Sequence, residues 1–200
     1  MNLQPEILQH ANIPKPLHGM SPRSLRGKVW WDETRKAVYL EQNHTCLACG
    51  VHKKDALYHN WIEAHEYYNI DYAKGSMEIE KIVGLCHCCH AYIHSGRTLI
   101  LTKKGEIPVA KAFTIFQHGL KVLKDADISP WYGHVEDYIQ LLRFLKKDIP
   151  QVWYDRYLGL KKDQGIPVMQ QDWSKWHLIL EGERHYSKFK SMYDWENQYN

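Results

Sequence analysis

Two pairs of cysteines, each with two residues between its members, constrain this chain more than any other feature of its sequence. Cys46 and Cys49 form the first pair, and Cys86 and Cys89 form the second. Zinc prefers four soft ligands in a tetrahedron, and each C-x2-C pair supplies two thiolates from one tight turn. Gly50 follows the first pair and suits such a turn, because glycine tolerates backbone conformations that other residues avoid. The spacing therefore predicts a structural Zn²⁺ ion held by these four cysteines, and it disfavours buried or free thiols.

Composition and the N-terminal sequence indicate the cellular compartment of the chain. Its five cysteines are an odd number, and residues 1–30 lack the pattern of a secretory signal peptide. The fifth, Cys88, is expected to face away from the metal as a small buried hydrophobic residue. No apolar run approaches the length of a membrane span. These features predict a cytoplasmic, intracellular protein with no membrane partner.

The first half of the chain mixes extended and helical patterns. Prolines and glycines favour an extended arm at the start, and apolar spacing then favours a helix and two strands. The predicted order is an arm over 1–28, a helix over 29–42 and strands over 57–65 and 79–85. The second cysteine pair should lead into a helix that carries His90 and His94 and stops at Gly96.

The second half of the chain is expected to be largely helical. Apolar residues recur at helical spacing over 109–123 and 135–145, and these stripes are core faces and not a cofactor site. A short strand over 176–180 and a last helix near 185–196 are also expected. The fold class is therefore predicted to be α+β. The predicted division is an N-terminal arm and helix over 1–43, a zinc-stabilised core over 44–97 and a mainly helical region over 98–200 that packs on the core.

Histidines near the second cysteine pair suggest a second metal site. His90 and His94 are four residues apart on the expected helix, so their imidazoles share one face and can chelate one ion. His65, at the end of the preceding strand, is the natural third ligand. A histidine pair on a helix is usually an ordinary surface or core feature. Three histidines beside the predicted four-cysteine zinc site favour a second metal site. The second ion can be Mg²⁺, Mn²⁺, Ni²⁺ or Zn²⁺, and imidazoles favour the transition metals.

The spacing of these residues resembles that of the HNH endonuclease superfamily. The resemblance rests on three segments within residues 44–97, namely Cys46-x2-Cys49-Gly50, Glu63-Ala64-His65-Glu66 and Leu85-Cys86-x2-Cys89-His90-x3-His94. It implies a small ββα-metal, treble-clef-like core surrounded by mainly α-helical segments. In such nucleases one divalent ion polarises the scissile phosphate and stabilises the leaving oxygen, while a histidine held by an asparagine activates water. The resemblance places His65, His90 and His94 as ligands of that ion.

Two positions depart from the family's pattern, and both concern proton transfer. Glu66 stands where the general-base histidine is usual, and Lys81 stands where an asparagine is expected. The chain thus resembles a variant subgroup of bacterial and phage proteins with His-Glu in place of the usual ligand–base pair, which implies a bacterium or a phage-infected host as its source. The resemblance then implies Glu66 as the base, with Lys81 either neutralising a phosphate or pairing with Glu66. His65 is the alternative base if Ala64 takes the ligand position. Glu63, two residues from His65 in a strand, is expected to orient an imidazole.

Three functions remain open at this point. The resemblance favours a metal-dependent endonuclease that hydrolyses DNA phosphodiester bonds. The altered Glu66 and Lys81 favour a catalytically degenerate zinc module that binds nucleic acid or a protein partner. The acidic run over 63–80 would repel DNA unless a metal offsets its charge, so it fits a metal site and also a protein-facing surface. A purely structural zinc protein is the third, with its aromatic-rich tail over 172–199 as a protein interface or as ordinary packing. The net charge of +3 is too small to select a nucleic-acid partner by itself.

Overall fold

The structure, a computed structural model, describes residues 2–165 and 167–199. Over these residues the chain forms seven α-helices and one four-stranded sheet, which confirms the α+β fold class. The chain divides into two compact units, each assembled from separate stretches of sequence. The first unit comprises Met1–Asn12, Tyr39–His65 and Gly84–Ile166, and the second comprises Ile13–Val38, Glu66–Val83 and Pro167–Asn200.

The N-terminal residues fold into short helices and do not extend as the predicted arm. Pro5–Gln9 and Lys15–Leu17 are 3₁₀-helices, each with a proline in its first turn, where the missing N–H costs little. Ile7 and Leu8 are fully buried in the first unit, and Leu17 is fully buried in the second. The prolines therefore begin helical turns, because burial of the neighbouring apolar side chains favours compact segments over an arm.

Helix α1 includes the helix predicted over 29–42 but begins earlier. It spans Pro22–Glu41 and breaks at Gly27, whose φ of 83° lies in the region that favours glycine. The last helix, α7, spans Met192–Tyr199 and packs against the Lys15–Leu17 turn within the second unit. The helix predicted near 185–196 therefore begins later than its periodicity indicated.

Helices α2 to α6 belong to the first unit, in which α2 to α5 bury apolar side chains and α6 packs against α5. Their bounds are His87–Ile93, Ser95–Lys103, Val109–Asp125, Tyr132–Phe144 and Gln151–Gln164. The two predicted apolar stripes are the buried faces of α4 and α5. Helix α2 packs on α4, where the Tyr92 ring lies edge-on to Phe116 with centroids 6.3 Å apart. Across residues 2–165 and 167–199, no helix combines the length and apolar character needed to cross a bilayer.

Gly119 in α4 marks the closest approach of α4 to α2. A methyl group at this position would lie 2.2 Å from Cγ of Tyr92, which is fully buried. The ring also packs against Phe116, so it cannot move aside without disturbing the core. We expect Gly119→Ala to lower the free energy of unfolding by about 2–3 kcal/mol, as overpacked core positions do.

Gly159→Ala in α6 is the matched control for this substitution. A methyl group at Gly159 meets no atom within 4 Å. Alanine there should raise the free energy of unfolding by about 1 kcal/mol, because glycine loses more backbone entropy in a helix. Urea unfolding measures both variants, and equal stabilities would contradict the close contact between α2 and α4.

The second unit contains most of the sheet and has its own core. The strands are β1 (Glu63–Asp71), β2 (Ser76–Leu85), β3 (His177–Leu180) and β4 (Glu183–Tyr186), in the order β1-β2-β3-β4. Strand β3 runs parallel to β2 and antiparallel to β4. Glu181 and Gly182 both have positive φ, the geometry of a two-residue hairpin turn. The buried side chains of this core are Leu17, Tyr68, Met77, Trp176 and Leu178.

Candidate metal centres

The first cysteine pair lies on a tight turn between α1 and β1. The Gly50 N–H donates to the Cys46 carbonyl at 2.9 Å, and the Cys46 N–H donates to the Val51 carbonyl at 2.9 Å. Gly50 has a φ of 77°, which L side chains rarely adopt. The backbone therefore curls around Cys46 and Cys49, and the positive φ accounts for the glycine after the pair.

The second cysteine pair lies where β2 leads into α2. Cys86 immediately precedes the helix, and Cys89 lies in its first turn. The Leu47 N–H donates to the Gly84 carbonyl at 3.0 Å, and the Gly84 N–H donates to Oε1 of Gln42 at 2.8 Å. These bonds fasten the first turn to the end of β2, two residues before Cys86. Backbone pairing thus brings together cysteines that are distant in sequence.

The four sulfur atoms form a group of the size that a tetrahedral zinc site requires. They lie within 4.8 Å of one another, and the sulfurs of Cys49 and Cys86 are 3.7 Å apart. Zn–S bonds of about 2.3 Å place sulfurs about 3.8 Å apart in a tetrahedron. All four cysteines are free, and Cys46, Cys86 and Cys89 are buried. The four predicted cysteines can therefore hold a structural metal ion such as zinc.

The pKa values of these thiols also indicate that a cation would stabilise the group. Hydrogen bonds with Cys46 and the other sulfurs lower the pKa of Cys49 and raise the pKa of Cys86. The opposite shifts arise because adjacent thiols compete for negative charge, so that one ionises at the expense of another. A central cation removes this competition by stabilising every thiolate, since zinc ligands must be deprotonated.

Two neighbours of the sulfur group have different roles. His118 on α4 places its Nε2 3.3 Å from the sulfur of Cys89 and 3.9 Å from that of Cys86. An N–H at this distance stabilises thiolate charge, as supporting partners of metal ligands do. Cys88 lies outside the group, and burial raises its pKa to about 11. It remains a protonated, buried thiol, in line with the expectation from its spacing.

Three histidines form a second group on the neighbouring elements. His65 lies on β1, His90 lies in α2 and His94 is at the C-terminal end of α2. The ring centroids are separated by 5.4 Å for His65 and His90, 5.1 Å for His65 and His94, and 4.9 Å for His90 and His94. One nitrogen from each ring lies within 4.8 Å of the other two. The structure therefore brings the three predicted ligands together.

Burial keeps the imidazoles of His65 and His94 in the neutral form that binds metal. His65 is 2% exposed, and neither of its ring nitrogens has a hydrogen-bond partner among the described residues. Burial, together with the charges of His90 and His94, holds the pKa of His65 well below its ordinary value. Burial also lowers the pKa of His94 to about 3. An unpaired buried imidazole costs free energy, and a ligated cation would offset that cost.

Glu63 orients one imidazole of the second group, that of His90, through a hydrogen bond. Its Oε2 accepts from Nδ1 of His90 at 2.5 Å, and its Oε1 accepts from Nδ1 of His87 at 2.9 Å. Burial alone would raise the pKa of Glu63, but the hydrogen bonds from both histidines hold it well below its ordinary value. The carboxylate is therefore ionised, and the bond to Nδ1 leaves Nε2 of His90 for a metal.

Glu66 and Lys81, the two residues predicted to act in proton transfer or phosphate binding, lie on β1 and β2. Glu66 follows His65 on β1, and successive strand residues project to opposite faces. Lys81 lies on β2, where its Nζ is 5.2 Å from the centroid of the Tyr67 ring. Among the described residues, neither side chain belongs to a metal-binding cluster. Their catalytic roles stay predictions.

His10 is a neighbour of the second group that the sequence did not indicate. Its ring lies edge-on to His65 with centroids 5.4 Å apart, and it is 5% exposed. It comes from the proline-rich N-terminal stretch, where no spacing connects it with the cysteines or with β1. No protein-family model, no curated protein and no solved structure matches the chain.

Proposed function

We propose that the chain is an HNH-like, metal-dependent endonuclease that hydrolyses DNA phosphodiester bonds. In this proposal β1, β2 and α2 form a ββα-metal core, and a structural Zn²⁺ at the four cysteines fixes the start of α2. The observation that carries the proposal is the convergence of His65, His90 and His94 next to the cysteine group. We also propose a cytoplasmic location, since reduced thiolate ligands and a DNA substrate both favour a reducing compartment inside the cell.

The three imidazoles are the proposed holders of a second divalent ion. Such an ion polarises the scissile phosphate and stabilises the leaving oxygen. His65 and His94 are kept neutral by burial, so they present lone pairs without first losing a proton. Glu63 fixes the ring of His90 and adds negative charge behind it. Imidazole donors favour Mn²⁺, Ni²⁺ or Zn²⁺ over Mg²⁺.

Glu66 is the proposed general base, and Lys81 is proposed to neutralise phosphate charge. A carboxylate takes a proton from water less readily than an imidazole, unless its surroundings raise its pKa. The alternative base is His65, which would then give up its place as a ligand. This alternative has the support that His65 is buried against His90 and His94, whereas Glu66 projects to the other face of β1.

The same observation supports a second candidate function. If no base faces the histidine group, the chain is a zinc module that binds nucleic acid or a protein and does not cleave. The C-terminal region carries exposed aromatic and apolar side chains suited to a protein partner, namely Tyr186, Met192 and Tyr193. Under this alternative the histidine group still holds a metal, but metal binding changes affinity for the partner and not the rate of cleavage.

A plasmid-cleavage assay separates the two functions. The purified chain is incubated with supercoiled plasmid or single-stranded DNA in Mg²⁺, Mn²⁺ or EDTA. We expect cleavage that is fastest in Mn²⁺ and absent in EDTA. Glu66→Gln should retain metal and DNA binding but cleave at least about 100-fold more slowly, which is the usual size of a general-base contribution.

Glu80→Gln, which removes an exposed carboxylate from β2, is the matched control and should cleave as the unmodified chain does. Undiminished cleavage by Glu66→Gln would move the base to His65. No cleavage in any metal, by a folded chain that still binds DNA, would establish the binding module.

A further inference from the structure

We propose that His59, Glu63 and His87 form a third metal site, which takes Zn²⁺ or a similar divalent transition ion. One ligand atom from each of these side chains lies within 4.8 Å of the other two. Oε1 of Glu63 is 2.9 Å from Nδ1 of His87 and 3.9 Å from Nε2 of His59. The site is separate from the four cysteines and from the group of His65, His90 and His94. It does not depend on the proposed nuclease activity.

The distances between these atoms suit a tetrahedral ion. Zinc binds imidazole nitrogen and carboxylate oxygen at about 2.0–2.2 Å, which places neighbouring ligand atoms about 3.4 Å apart. The separations of 2.9 Å and 3.9 Å at Glu63 lie on either side of this value. Shifts of about half an ångström would therefore seat an ion, and such shifts lie within ordinary thermal displacements of side chains.

Neighbouring aromatic rings already hold both imidazoles in place. His59 stacks on Trp61 with ring centroids 4.2 Å apart and an interplanar angle of 14°. His87 lies edge-on to Tyr58 at 5.9 Å, and His59 and His87 are themselves 4.3 Å apart at an angle of 78°. Lys111 also packs on the Tyr58 ring, with its Nζ 4.7 Å from the centroid. An ion would therefore meet preoriented ligands and lose little binding free energy to ordering them.

The third site is partly open to solvent, whereas His65 in the neighbouring histidine group is only 2% exposed. The side chains of His59, Glu63 and His87 are 27%, 21% and 17% exposed. Three protein ligands leave one coordination position free, and two histidines with one glutamate are a donor set that zinc uses in proteins. An ion can therefore enter this site from bulk solvent.

Glu63 connects the third site to the group around His65. Its Oε1 faces His59 and His87, while its Oε2 accepts the hydrogen bond from His90. A cation on Oε1 withdraws charge from the carboxylate, which makes His90 a poorer donor to its own ion. Binding at the two sites should therefore be antagonistic, and linkage requires the antagonism to be reciprocal.

Zinc counting tests the site in the full chain. The protein, His59→Ala and His177→Ala are dialysed against the same buffered free Zn²⁺ concentration, and bound zinc is measured by mass spectrometry of the metal. His177 lies on β3 and belongs to none of the three metal-binding clusters among the described residues, which makes it the matched control. We expect His59→Ala to bind one zinc fewer per chain than the other two proteins. Equal zinc in all three would overturn the proposal.

A second measurement separates this proposal from the nuclease proposal. Excess Zn²⁺ competes directly for the histidine group in both proteins. It should weaken Mn²⁺ binding further in the unmodified chain, through Glu63, than in His59→Ala. Calorimetric titration with Mn²⁺ in both proteins measures the difference without any cleavage assay. An identical effect of Zn²⁺ in both proteins would contradict the link through Glu63. A chain that cleaves no DNA but shows both effects would refute the nuclease and retain the third site.

Discussion

Replacing Cys86 by serine is expected to release the metal from the four-cysteine group and to unfold the first unit. Cys86 is buried, and its sulfur lies 3.7 Å from that of Cys49. Structural zinc contributes about 10–16 kcal/mol of binding free energy to small zinc domains. Loss of one of four ligands should remove about 5 kcal/mol or more, a large share of the stability of an ordinary domain. Circular dichroism melting and zinc content measure the two effects.

Cys88→Ala is the matched control for this prediction. Cys88 is as buried as Cys86 and lies two residues away, but it belongs to no metal-binding cluster among the described residues. Its removal should cost only about 1 kcal/mol, the size of an ordinary core substitution, and should leave the zinc content unchanged. If Cys86→Ser kept its zinc and melted as Cys88→Ala does, the four cysteines would not form a structural centre.

His90→Ala is expected to abolish binding of the second ion while the chain stays folded. His90 supplies one of three imidazoles, and its ring is partly exposed, so its removal leaves no large core cavity. Removing a supporting partner of a metal ligand costs about 10–100-fold in affinity, and removing the ligand itself should cost more. We therefore expect Mn²⁺ affinity and DNA cleavage to fall by more than about 100-fold. Titration calorimetry and plasmid nicking measure the two losses.

A graded series gives this prediction its controls. Glu63→Gln keeps the size of the side chain that holds His90 but removes its negative charge. It should therefore lower the affinity for the second ion by about 10–100-fold. His177→Ala, which removes a histidine from β3, should change nothing. His90→Ala should lose more Mn²⁺ affinity than either of these variants. A Mn²⁺ titration of His90→Ala that matches that of the unmodified chain would show that His90 is not a ligand.

The grouping of the candidate metal ligands could be predicted in large part because it follows short-range rules. Two C-x2-C pairs and an i, i+4 histidine pair describe local geometry, so their sequence spacing carries over directly to the folded chain. Glu63 was also predictable, since residues two apart on a strand share a face. The apolar stripes of α4 and α5 were predictable for the same reason, because each helix buries one face along its own length.

The features that the sequence did not indicate depend mostly on contacts between distant parts of the chain. Helix α6 has no buried residue among those described, so no apolar stripe marks it. The hairpin of β3 and β4 turns at Glu181-Gly182, a two-residue signal that periodicity does not detect. Gly96 lies inside α3 and does not end a helix, because α2 already ends at Ile93. His10 and His118 reach the metal centres only through tertiary packing.

Anomalous X-ray diffraction from crystals grown with Zn²⁺ and Mn²⁺ tests the two centres most directly. Data collected on either side of each absorption edge locate each element separately. We expect zinc at the centre of the sulfurs of Cys46, Cys49, Cys86 and Cys89, with a second ion among the imidazoles of His65, His90 and His94. Zinc absent from the four sulfurs, or no ion among the three imidazoles, would contradict the account.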